Sequence, residues 1–83
     1  NQLIFLIKKK IKKNIVTQEI IIKDKTYLHA KHLSHEAGKF HLELKIKSEE
    51  LSKYNKIQAT KKIYKILDGE IKRYIHSIQV LIN

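Results

Sequence analysis

The sequence predicts an α+β domain in which helices cover one face of a three-stranded mixed sheet. Two segments alternate apolar and polar residues, as strands do, and a third is a short β-branched run. Longer segments repeat apolar residues at helical spacing. The resulting order is α-β-β-α-α-β, and helices packed on one face would bury the apolar side of the sheet.

The first third of the chain predicts a helix, a strand and a long loop. Residues 3–15 carry apolar side chains largely at spacings of three and four, with lysines between them, which predicts an amphipathic helix. Its basic face could lie on a membrane, although such faces are more often solvated. The run Ile20 to Ile22 predicts a strand over residues 19–23. Residues 24–39 show little periodicity and predict a loop, and long loops in compact domains are often functional.

Residues 40–47 give the clearest strand pattern in the chain. Phe40, Leu42, Leu44 and Ile46 alternate with His41, Glu43, Lys45 and Lys47, so one apolar and one solvent-facing side are expected. Ser48 or Ser52 is the expected cap of the next helix. Its predicted buried face consists of Tyr54, Ile57, Thr60, Ile63, Tyr64, Ile66 and Leu67.

The last part of the chain predicts a helix end, a short helix and a strand. Gly69 stands where the residue after a helix C-terminus belongs. Residues 70–75 resemble a short second helical piece. Ile78, Val80 and Ile82 follow at period two with His76 in phase, so we expect a final strand with His76 on its inner side.

Size and composition favour a binding module over an enzyme. The 83 residues predict one domain spanning residues 1–83. No phosphate-binding loop, dinucleotide-binding glycine pattern or zinc-protease motif occurs. The absence of cysteine predicts a reducing compartment, taken here as the cytoplasm. The longest apolar run, residues 3–7, is too short to cross a bilayer, so no membrane-spanning segment is expected. Because the basic face of the first helix is more often solvated, a membrane is not an expected partner.

A formal charge of +10 predicts attraction to nucleic acid, to an acidic membrane or to an acidic partner. The candidate nucleic-acid contacts are Lys61, Lys62, Lys65 and Arg73. The alternative is compositional, because lysine, isoleucine and asparagine are abundant together, whereas only one arginine is present. Arginine is the residue that usually makes bidentate contacts with phosphate.

Five histidines are the other candidates for chemistry. His29, His32 and His35 share the predicted loop, and imidazole is a common ligand for zinc, copper and iron. A zinc site formed by these three alone is one reading, and a solvated polar loop is the other. By its position alone, His76 is either a satisfied core histidine or a ligand.

Local strings through most of the chain resemble the BolA-like family. They are DKTYLH at residues 24–29, HLELKIKS at 41–48, IYKIL at 63–67 and IHSIQV at 75–80. The last of these looks like the family's apolar-His-small-apolar signature. The family's basic Arg-His-Arg stretch is replaced here by Ala59, Thr60 and Lys61, which weakens the transfer of a DNA-binding role.

The resemblance implies a fold similar to class II KH domains and a protein that is a monomer when isolated. It further implies a heterodimer with a monothiol glutaredoxin that shares a [2Fe–2S] cluster with glutathione as a further ligand. His76 and His29 would be the ligands from this chain, with His32 and His35 as less favoured choices. Iron–sulfur assembly, trafficking or iron sensing would be the role, and transcriptional regulation through DNA the alternative. No cofactor is expected for the isolated chain.

Overall fold

The computed structural model describes residues 2–26 and 40–83. Their elements are α1 (Gln2–Asn14), β1 (Glu19–Asp24), β2 (Phe40–Lys47), α2 (Glu49–Ser52), α3 (Lys56–Ile66), α4 (Asp68–Tyr74) and β3 (Ile75–Ile82). The predicted α+β class and element order are confirmed, with the single-turn helix α2 as an addition. The stretch before α3 is therefore a helical turn and a linker instead of the start of one long helix.

The three strands form one mixed sheet with β2 in the centre. Strand β1 pairs with β2 in antiparallel orientation, and β3 pairs with β2 in parallel orientation. Opposite the buried Leu44 stand Ile22 of β1 and Val80 of β3. These residues share one face because cross-strand partners point to the same side of a sheet. The predicted apolar face of residues 40–47 is confirmed for its three leucine and isoleucine residues, which are buried.

The core lies between this face and the helices. Ile7 and Ile11 of α1 and Ala59 and Ile63 of α3 are fully or almost fully buried in one cluster with the sheet residues. The predicted α1 stripe is confirmed at Ile7, Ile11 and Ile15, whereas Leu6 is 43% exposed. Within the described ranges, no helix is both long and apolar enough to cross a membrane.

Side-chain caps determine where α2 and α3 begin. The Ser48 hydroxyl oxygen accepts a hydrogen bond from the Leu51 amide at 3.1 Å and donates to the Val16 carbonyl at 2.7 Å. The prediction of Ser48 as a cap is thus confirmed, but for α2. Helix α3 instead begins after Asn55, whose Oδ1 accepts from the Gln58 amide at 2.8 Å. Satisfying an otherwise unpaired amide in the first turn is what stabilises a helix start.

The predicted buried face of the long helix is wrong in part. Ala59, Ile63 and Leu67 form the buried stripe at spacings of four, whereas Ile57 is 70% exposed. Tyr54 and Tyr64 are also exposed. Residues two positions apart on a helix point to nearly opposite sides, so Ile57 cannot join a stripe through Ala59. Ala59 lies on the face that contacts the core. The prediction omitted it because the buried face was chosen from the spacing of the larger apolar residues.

The prediction for Gly69 is also wrong. Helix α3 ends at Ile66 with Leu67 as its C-cap, and Gly69 lies inside α4. Leu67 is fully buried and connects the two helices directly. The helix boundary therefore lies at Leu67, and the glycine is an ordinary helical residue two positions later.

Candidate functional site

A β-bulge places His76 at the beginning of β3. Phe40 stands opposite Ile75, but the next residue of β2, His41, stands opposite Ser77, so His76 is an extra residue in the ladder. An extra residue shifts the inward–outward alternation of side chains by one position, so residues before the bulge are out of phase with residues after it. Ile75 is consequently buried at 3% exposure, Ile78 still points inward, and His76 is exposed. The prediction that His76 lies on the inner side of the strand is wrong, because period two does not continue through a bulge.

His41 shows the opposite error. Its position in the alternating strand predicted a solvent-facing side chain, yet it is only 5% exposed. The ring centroids of His41 and His76 are 4.8 Å apart, with the ring planes tilted by 49°. Ser77 lies beside it, with 2.8 Å between the serine Oγ and Nδ1 of His41. The side chains of β3 thus cover His41 on what would otherwise be the open face of the sheet.

The backbone of His41 is held from the other side by residues that follow β1. Its amide donates to Oγ1 of Thr26 at 3.1 Å, and its carbonyl accepts from the Lys25 amide at 2.7 Å. Asp24 Oδ1 accepts from the Thr26 amide at 2.9 Å, which forms a local turn after the strand. His41 is therefore the fixed, buried member of the histidine pair, and His76 is the accessible one.

The accessible side of His76 opens toward α3 and α4. It borders an open depression of about 400 Å³ whose walls include Tyr64, Asp68, Ile71 and Ile75. The Asp68 carboxylate forms an exposed ion pair with Lys72, at 3.1 Å between Oδ2 and Nζ. Because the depression is mostly apolar and the imidazole beside it is accessible, His76 can bind a group that a partner molecule carries. The imidazole can bind a metal through an unprotonated nitrogen.

The remaining predicted ligands fall elsewhere in the chain. His29, His32 and His35 lie outside the described residues, so their pairing with His76 stays a prediction. Among residues 2–26 and 40–83, no group of three or more histidine, cysteine or acidic side chains could hold a metal ion. The described part of the chain therefore supplies one accessible histidine, with a second, buried one beside it.

The predicted nucleic-acid residues occupy two helices. Lys61, Lys62 and Lys65 are exposed on α3, and Arg73 is exposed near the end of α4. Lys62 places its Nζ 5.3 Å from the ring centroid of Tyr54, a distance at which cation–π attraction acts. These positions fit solvated basic surface as well as a nucleic-acid contact, so the DNA-binding role stays a prediction.

His41 is the site residue that sequence reasoning missed. A signal for it exists in the strand pairing, because the start of β2 must lie beside the start of β3 once the two strands are parallel. Two histidines at those starts then become neighbours. The bulge that brings the rings together has no signature in the alternation pattern itself.

Comparison with known proteins agrees with this architecture. The family model described as BolA-like protein matches residues 11–82. The BolA domain of SufE1 from Arabidopsis thaliana superposes with a TM-score of 0.81 at 24% identity, covering 95% of this chain and 87% of that domain. BolA1 from Arabidopsis thaliana superposes with a TM-score of 0.83 at 21% identity, covering 99% and 90%. No curated protein sequence matches this chain significantly.

Proposed function

We propose that this chain, which belongs to the BolA-like family, partners a monothiol glutaredoxin and contributes histidine to a shared [2Fe–2S] cluster. The role would be the assembly or trafficking of iron–sulfur clusters, or iron sensing, without catalysis by this chain. The observation that supports the proposal is the exposed His76 imidazole, displayed on a bulge and backed by the buried ring of His41.

The donor set of this chain fits a mixed cluster. The chain contains no cysteine, so it can offer imidazole but not thiolate, and thiolates would have to come from the glutaredoxin and glutathione. Replacing thiolate by neutral imidazole removes negative charge from such a cluster and raises its reduction potential. Imidazole ligation also depends on pH, because only the unprotonated nitrogen binds.

The two described histidines suit different tasks. His76 is accessible and lies beside the open depression, so a partner can reach it. His41 is buried, with Nδ1 engaged by Ser77, and is better placed to support the neighbouring ring than to bind an incoming group. We therefore assign His76 as the ligand and His41 as a positioning residue.

The second ligand is proposed to be His29, with His32 and His35 as alternatives. All three precede β2, whose first residues pair with the beginning of β3 where His76 stands. The assignment of His29 rests on the family resemblance, and the three histidines are to be distinguished by substitution.

The test is a titration of the chain into a cluster-loaded monothiol glutaredoxin, followed by visible absorption and circular dichroism. The wild-type chain should change the spectrum of the cluster, and His76→Ala should abolish that change. His29→Ala should reduce it, whereas His32→Ala and His35→Ala should leave it intact. Gln79→Ala, at another exposed position of β3, is the matched control. An unchanged spectrum with the wild-type chain would refute the proposal.

Loss of the spectral change must be separated from loss of the fold. Because His76 is exposed and packs against the His41 ring, His76→Ala should lower the free energy of unfolding by about 1 kcal/mol in urea denaturation. A much larger destabilisation would show that His76 is a structural residue and would remove the basis for assigning it as a ligand.

A further inference from the structure

The outer edge of β3 carries backbone groups that point away from the sheet. The Asn83 amide donates to the Ile46 carbonyl at 2.9 Å, which fixes the hydrogen-bonding phase of the parallel β2–β3 ladder. In a parallel strand, the backbone amides and carbonyls of alternate residues bond to the same neighbouring strand. Gln79 and Leu81 therefore bond to β2, whereas the amides and carbonyls of Ile78, Val80 and Ile82 face the free edge.

A contact from α3 agrees with this assignment. The Tyr64 hydroxyl donates to the Ile78 carbonyl at 3.3 Å, so that carbonyl does point away from β2. Tyr64 covers the edge only at this position. Within the part of the chain that the structure describes, no hydrogen bond reaches the edge-facing groups of Val80 or Ile82 from outside the sheet.

A basic depression runs along this open part of the edge. It has a volume of about 360 Å³ and is bordered by Lys45, Lys56, Thr60 and residues 80–83. Two lysines thus flank two unpaired backbone positions, and no described acidic side chain borders the depression. Edge strands with unpaired groups are templates for the addition of another strand, and proteins usually protect them.

We propose that the Val80–Ile82 edge of β3 accepts an extended acidic segment of a partner protein as a fourth strand. Backbone hydrogen bonds would supply affinity, and carboxylates of the segment would meet Lys45 and Lys56, as in other cases of strand addition. This edge lies toward the opposite end of β3 from His76. The proposal therefore does not depend on the cluster site.

Charge favours an acidic partner over a second copy of this chain. Each copy carries a formal charge of +10, and pairing two β3 edges would bring Lys45 and Lys56 of both copies together. Like charges brought into one interface oppose association. An acidic segment neutralises the same lysines.

The probe is a seven-residue peptide that alternates valine and glutamate, compared with the same peptide carrying glutamine in place of glutamate. NMR titration of the whole chain should shift the Val80 and Ile82 amides with the acidic peptide and weakly or not at all with the neutral one. Val80→Pro removes an edge-facing amide without removing a bond to β2. Because the peptide can then no longer pair with this edge, the variant should abolish the shift of the Ile82 amide.

Charge-reversed variants provide a second test that does not depend on tolerance of proline. Lys56→Glu should weaken binding of the acidic peptide several-fold. Lys61→Glu changes the net charge equally on the same helix but outside the depression, and should have a much smaller effect. Equal weakening by both variants, or equal binding of the two peptides, would overturn the proposal. Concentration-dependent dimers that Val80→Pro abolishes would also overturn it, in favour of a second copy as the occupant.

Discussion

His41 and His76 stand at the starts of neighbouring strands but occupy opposite environments. Sequence alternation placed His41 outside and His76 inside, and the structure reverses both. The reason is local, because His76 is the extra residue of the bulge and points outward. Its ring and the Ser77 hydroxyl then cover His41. The presence of histidine at these two positions could be read from the sequence, whereas the side of the sheet that each histidine faces could not.

Ser77→Ala should lower the free energy of unfolding by about 1 kcal/mol, because it removes the partner of Nδ1 in a buried ring. Urea denaturation of both proteins at neutral pH measures the difference. Gln79→Ala, two residues further along the same strand and exposed, should change stability by less than about 0.5 kcal/mol. Equal midpoints for Ser77→Ala and the wild type would show that the contact adds nothing to stability.

At the scale of elements, strand identity followed from sequence more reliably than helix boundaries did. The alternation over residues 40–47 coincides with β2, which runs from Phe40 to Lys47. The region after it was expected to hold one long helix ended by Gly69 and a short helical piece over residues 70–75. It contains α2 and α3 in place of the long helix, and α4 in place of the short piece. Side-chain caps at Ser48 and Asn55 set the starts of α2 and α3, and α3 ends at Ile66 with Leu67 as its C-cap. A glycine does not mark a helix end where its backbone has ordinary helical geometry, as at Gly69.

Gly69→Ala should raise the free energy of unfolding by about 0.5 kcal/mol, because alanine loses less backbone entropy on folding than glycine does. An added Cβ at this position would meet no atom within 4 Å, so no clash opposes the gain. Thermal or urea unfolding tests the sign. A loss of stability would contradict the helical assignment and would favour the left-handed helix end expected from sequence alone.

At the scale of the whole molecule, one core joins all three strands to α1 and α3. Leu44 lies at its centre on β2, with Ile22 and Val80 beside it on the flanking strands. The formal charge of +10 is carried by a surface that surrounds this apolar interior. Helix α1 is also tied to α4 by the Lys10–Glu70 ion pair at 2.7 Å, in which the glutamate is largely buried.

Leu44→Ala should lower the free energy of unfolding by about 2 to 5 kcal/mol, because it leaves a cavity between the sheet and the helices. Leu81→Ala, on the outer face of the sheet and 36% exposed, is the matched control and should cost much less. The comparison is made by urea denaturation. Similar losses for both variants would contradict the assignment of the inner face.

The sequence by itself determined the α+β class, the central alternating strand and the amphipathic first helix. These features depend on periodicity and residue type, which act over a few neighbouring positions. Only the tertiary structure decided which side of β3 carries His76, that His41 lies beneath it, and which backbone groups of β3 remain open. Those facts depend on the register between β2 and β3, and register is set by packing between strands that are distant along the chain.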